Sequence, residues 1–112
     1  MYQILEVKDF ELRPGGTAKF EGTSAGFGVS FFRVKDKPGK GPPLHFHPYM
    51  ESWVVIRGQV KFTVGGEEVK AAEGNIVVAE QEVPHKFVNI GSDLLEMVCI
   101  HPSDRIIQTD LE

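Results

Sequence analysis

Apolar and polar residues alternate with a period of two along most of this chain, and the helical spacing is hard to find. No window of a dozen residues keeps apolar positions at i, i+3, i+4 and i+7 free of Gly or Pro, so no long helix is predicted. Seven segments read as strands: 26–34 (GFGVSFFRV), 52–56 (SWVVI), 60–64 (VKFTV), 67–71 (EEVKA), 76–79 (IVVA), 85–90 (HKFVNI) and 94–100 (LLEMVCI). Segments 4–7 and 17–21 carry the same rhythm more weakly. Arg57-Gly58-Gln59, Gly65-Gly66 and Glu73-Gly74-Asn75 supply the positive-φ positions that tight hairpins need, Gly65-Gly66 most clearly. Connections this short join only antiparallel neighbours, because a parallel crossover takes about a dozen residues. The pattern predicts an all-β antiparallel sandwich or small barrel. Residues 35–43 (KDKPGKGPP) break the rhythm and read as a loop delivering the chain to His45.

Length and charge narrow the picture. A chain of 112 residues holds one core, so a single domain over 1–112 is expected. The formal charge of -4 argues against a nucleic-acid surface, which needs clustered Lys and Arg to replace phosphate counterions. The first dozen residues lack the basic start and apolar block of a signal peptide, and no run approaches the roughly 20 apolar residues of a membrane span. With one cysteine, Cys99, no internal disulfide can form. A cytoplasmic protein is the expectation, with no membrane partner.

Three of the four histidines fall in two short segments with metal-ligand spacing. In the first, Gly39 is followed after five residues by His45, then Phe46, His47, three residues, Glu51, six residues and Gly58. On extended chain His45, His47 and Glu51 share parity and point to one face. In the second, residues 74–89, His85 follows Pro84 and precedes Asn89 by four, with Phe87 on its parity. Folded against the first segment, His85 would add a third imidazole.

These segments resemble the two motifs of the cupin superfamily, G-x5-H-x-H-x3,4-E-x6-G at 39–58 and G-x5-P-x-G-x2-H-x3-N at 74–89. The first is matched at every fixed position; chance would produce it on the order of 10⁻⁴ times in a chain of this length and composition. In the second, Gly74, His85 and Asn89 are present, while Glu80 and Glu82 stand where the pattern has Pro and Gly. The resemblance implies a cupin double-stranded β-helix, a jelly-roll-like barrel of two antiparallel sheets. It also implies a divalent metal held inside by His45, His47, Glu51 and His85.

Imidazole and carboxylate donors suit Fe, Mn, Co, Ni, Cu or Zn better than Ca or Mg. Four protein ligands leave two positions of a six-coordinate ion for water or substrate. The expected partner is a small oxygen-bearing molecule. With Fe(II) the expected chemistry is that of a dioxygenase, an oxidoreductase; with Mn, Ni or Zn it is isomerisation, decarboxylation or lyase chemistry; and a non-catalytic ligand- or metal-sensing cupin is the alternative. Glu51 is a candidate base. Family habit implies a homodimer, with residues 2–7 or 105–112 as candidate pairing segments.

The remaining residues carry two readings each. Tyr49, Trp53, Phe62, Phe87 and Met97 are candidates to line a substrate cavity or to pack the core, and Tyr49 shares parity with the ligands on both sides. His101, beside Pro102, reads as a surface or interface residue. Glu80 and Glu82 read as solvated turn charges, Arg57 and Arg105 as partners of surface acids, and Cys99 as a small buried hydrophobe.

Overall fold

The structure is a computed structural model that describes residues 1–112. Ten strands form it: β1 Ala18–Phe20, β2 Ser30–Asp36, β3 His45–Phe46, β4 Glu51–Arg57, β5 Gln59–Val64, β6 Glu67–Ala72, β7 Ile76–Ala79, β8 His85–Asn89, β9 Leu95–His101 and β10 Thr109–Asp110. They make two five-stranded antiparallel sheets, ordered β1-β2-β9-β4-β7 and β10-β3-β8-β5-β6. This is the barrel of two antiparallel sheets that the strand rhythm and the motifs imply.

Alternation decides which side chains enter. On β4, Glu51, Trp53 and Val55 are buried; on β8, His85, Phe87 and Asn89; on β9, Leu95, Met97, Cys99 and His101. Trp53, Phe62, Leu95, Met97 and Val60 form the centre of the apolar core, with the Trp53 and Phe62 rings tilted against each other at 5.0 Å. The β5–β6 hairpin turns through Gly65 and Gly66 at φ 56° and 85°, the paired left-handed conformation whose twist matches the flanking strands. Asn89 ties the far end together, donating through Nδ2 to the carbonyls of Asp36 and Asp93 and accepting from Gly91 N–H.

The loop expected over 35–43 begins later, since β2 runs through Asp36 along the whole of β9. From there the chain lies on β8, with Gly39 N–H on Asn89 O and Asn89 N–H on Lys40 O. A side chain at Gly41 would strike the Phe87 carbonyl oxygen, so the loop approaches this closely only with glycine there.

Three expectations change. Residues 2–7 form no strand, because apolar residues of both parities (Tyr2, Ile4, Leu5, Val7) are exposed and no single face is there to bury. The strand expected from 26 starts at Ser30, since Gly26 at φ 68° closes a short 3-10 turn over Gly22–Ala25. Within 105–112, Thr109 and Asp110 pair with β3 of the same chain. No helix is long and apolar enough to cross a membrane.

Candidate metal centre

Three strands and the turn after one of them bring the predicted ligands together. His45 on β3 sits directly opposite His85 on β8. His47 follows β3, and Glu51 opens β4. All four are buried, and their donor atoms lie within 4.8 Å of one another. Glu51 Oε1 is 2.9 Å from His47 Nε2 and 3.1 Å from His85 Nε2.

Each of these imidazoles is oriented from behind by a backbone carbonyl. His45 Nδ1 bonds to Pro43 O at 2.7 Å, His47 Nδ1 to Ile107 O at 2.8 Å and His85 Nδ1 to Val83 O at 2.9 Å. A carbonyl only accepts, so each Nδ1 carries the proton and each neutral Nε2 turns a lone pair inward. Three lone pairs and a carboxylate oxygen then converge, acceptor against acceptor, which is favourable only around a cation. Metal–nitrogen bonds of about 2.0–2.1 Å put neighbouring ligands of an octahedral ion about 3 Å apart, the spacing seen between Glu51 and the two imidazoles. The donor set therefore fits a divalent transition metal. Burial is the largest influence on His45 and holds its pKa below the ordinary histidine value, which keeps the ring neutral and able to ligate. Burial pushes the Glu51 carboxyl up, and hydrogen bonding led by His101 works against it and holds it well below the usual range.

His101, expected at the surface, is 1% exposed and faces Glu51. It continues the inward row of Met97 and Cys99 by one more step of two, a signal the strand pattern carried. Its Nε2 lies 3.1 Å from Glu51 Oε2, and its Nδ1 lies 2.7 Å from Tyr49 Oη. The ionised Glu51 carboxylate only accepts, so His101 turns Nε2–H toward it and its Nδ1 takes the Tyr49 hydroxyl proton, while Tyr49 Oη accepts from Ile107 N–H at 3.2 Å. Glu51 thus sets one oxygen beside His47 and His85 and the other beside His101. The Tyr49 ring is stacked on His47 at 5.2 Å and 4°.

A cavity of about 310 Å³ opens beside the centre, reached by His45, Glu51 and His101. Its apolar wall is Phe32, Val34, Phe87 and Cys99, and Asp36 lies at its edge. Of the predicted lining residues, Phe87 lies on it. Trp53 and Met97 sit behind in the core, Trp53 with its ring edge-on to His85 at 5.0 Å, and Phe62 is fully buried with them. Cys99 is buried, as its neighbours implied, and burial pushes its thiol well above the usual range. Glu80 and Glu82 are exposed turn residues, Arg57 pairs with Asp93 at 2.8 Å, and Arg105 is exposed. Glu82 adopts the left-handed φ of 63° where the motif has Gly, and its N–H holds the His47 carbonyl at 2.8 Å. The turn before His85 thus keeps its shape without the glycine.

Comparison with known proteins agrees with this geometry. The family described as "Cupin domain" matches residues 32–101. Mannose-1-phosphate guanylyltransferase ManC of Salmonella typhimurium is 26% identical over 100 residues, 88% of this chain, which spans only 20% of that protein. Polyketide synthase CurC of Streptomyces cyaneus is 27% identical over 106 residues, 86% of this chain and 66% of that one. Among solved structures, Bacillus subtilis oxalate decarboxylase at pH 4.6 superposes with a TM-score of 0.75 at 21% identity, covering 85% of this chain and 27% of that one. Lactobacillus farciminis oxalate decarboxylase gives 0.76 at 20% identity, over 85% and 30%.

Proposed function

The chain belongs to the cupin family, and from that premise we propose that it is a metal-dependent enzyme acting on a small oxygen-bearing molecule bound beside a mononuclear centre. The observation that supports this most is the convergence of three Nε2 lone pairs and Glu51 at the wall of a cavity. His45, His47, His85 and Glu51 would hold the ion. When bound, Fe would supply dioxygenase chemistry, and Mn, Ni or Zn would supply Lewis-acid isomerisation, decarboxylation or lyase chemistry.

The chain's own groups do the rest. Phe32, Val34 and Phe87 exclude water from one side of the ligand, and His101 and Tyr49 fix the direction of the Glu51 carboxylate. Glu51 is the proton acceptor at Oε2, the oxygen facing His101. Elemental analysis of untagged protein, with thermal melts with and without chelator, tests the centre. One transition metal per chain and a chelator-sensitive melt are expected, and absence of both overturns the reading. Turnover of catechols, diketones, thiols and hydroxy acids, with O2 uptake where iron is found, separates an enzyme from a sensor that only binds. A Glu51→Gln variant that keeps metal and full turnover would remove Glu51 as base.

We further propose that the protein is a cytoplasmic homodimer. A lone buried cysteine with no disulfide suits a reducing compartment. On the outer face of the first sheet, Phe31, Ile100, Ser52 and Val78 stand in one cross-strand row, and Arg33, Val98, Val54 and Ile76 in the next. Ile76 is 67% and Val78 56% exposed, leaving an apolar face that a second copy would cover. Light scattering should give twice the 12.5 kDa chain mass, falling to one chain in Ile76→Lys.

A further inference from the structure

Apart from the ion that the centre would hold, the cavity beside it has side-chain charge of only one sign. Asp36 closes the inward row of β2 behind Phe32 and Val34, and Glu51 stands at the centre. No Lys or Arg lines it. The cation that acts on Asp36, Arg13, is exposed and lies outside the lining. With the ion engaging one end of a ligand, a carboxylate elsewhere on it would meet Asp36 and an apolar wall, with no guanidinium or ammonium to pair with. A hydroxyl or amine would find in Asp36 an acceptor that makes no side-chain hydrogen bond within the protein. Burial is the main influence on Asp36 and raises its carboxyl, the mark of an anion short of partners.

We propose that this site takes a neutral or cationic small molecule, with an oxygen at the metal end, an apolar body against Phe32, Val34 and Phe87, and a hydroxyl or amino group donating to Asp36. Small dicarboxylates such as oxalate are selected against. The inference rests on the reading of the centre as a ligand-binding metal site and adds to it the class of ligand. At about 310 Å³ the cavity lies at the small end of ligand pockets, roughly 300–1,000 Å³, and suits a single ring.

The test uses one scaffold, phenol, carrying at its para position a hydroxymethyl, an aminomethyl or a carboxylate group, with oxalate as a fourth probe. Binding is measured by calorimetry on metal-loaded protein whose metal content is assayed in the same samples. The alcohol and the amine should bind at least tenfold more tightly than the carboxylate and oxalate. Asp36→Asn should shrink that preference about tenfold. Gln108→Arg, a change at an exposed residue on the rim, supplies the missing cation and should raise carboxylate affinity. Equal or tighter binding of either carboxylate by the wild-type protein, or no binding of the alcohol and the amine, overturns the ligand class even if Asp36→Asn fails to fold. Protein that takes up no metal overturns the metal centre instead, so the two failures are told apart.

Discussion

The two ends of the barrel interior are made by the same strands and the same alternation, yet they are chemical opposites. Along β4 the inward row passes from Glu51 to Trp53 to Val55, and along the antiparallel β9 from His101 to Cys99 to Met97 to Leu95. Trp53 faces Cys99 and Val55 faces Met97, so both strands become apolar toward the same end. Period two selects which residues enter; position along the strand decides whether they meet lone pairs or hydrocarbon. One end supplies the burial that holds the sheets together, and the other concentrates groups that are costly to bury unless a cation joins them.

If the ends are separable, damage to each should have its own signature. The largest effect is expected for Phe62→Ala, a fully buried ring at the apolar end, which should cost about 3–5 kcal/mol in urea unfolding while the folded fraction keeps its metal. Metal loss in that folded fraction would break the distinction. His45→Ala and His85→Ala should each weaken metal binding by more than roughly 100-fold in chelator competition, since a removed ligand costs more than a removed supporting partner. Their chelated forms should melt close to chelated wild type.

His101→Ala should weaken metal binding by about 10–100-fold, the range for groups that orient a ligand, and Tyr49→Phe by less. Smaller still is Asp36→Asn. Burial raises the folded pKa of Asp36 above its ordinary 3.8, so the ionised form burdens the folded state at pH values above that pKa, and the burden fades as pH falls toward 3.8. The variant should therefore melt higher than wild type at pH 7 and no higher at about pH 3.5. Glu82→Gly should raise the melting temperature by roughly 2–5 °C at most, because relief of a left-handed φ is partly offset by the glycine's entropy in the unfolded chain.

Much of this was legible before any coordinates. Strand 76–79 is read to the residue, and 52–56, 60–64, 67–71, 85–90 and 94–100 to within about a residue at each end, because each has one face to bury. The four candidate ligands were legible through the resemblance to the two cupin motifs. The pairing of β3 with β10 was not, since two-residue strands carry no periodicity. His101 was missed through its neighbour Pro102, although the parity of Met97 and Cys99 pointed inward. Asp36 was hidden in a stretch read as loop, where its place at the end of the β2 row could not be seen. The carbonyls of Pro43, Val83 and Ile107 that orient the imidazoles belong to the backbone, which no side-chain pattern reports.

Residues 107–112 give the centre an unexpected dependence. Ile107 supplies the carbonyl behind His47 and an N–H to Tyr49, Leu111 N–H bonds Leu44 O, and a Glu112 carboxylate oxygen accepts from Leu44 N–H beside His45. None of these residues would ligate metal, and all of them brace those that would. Proteolytic nicking after residue 106, or a fusion that pulls β10 from β3, would then yield protein with every ligand intact and poor metal content. Such a preparation would be mistaken for an inactive protein, so the integrity of this short segment belongs among the first things checked by mass spectrometry.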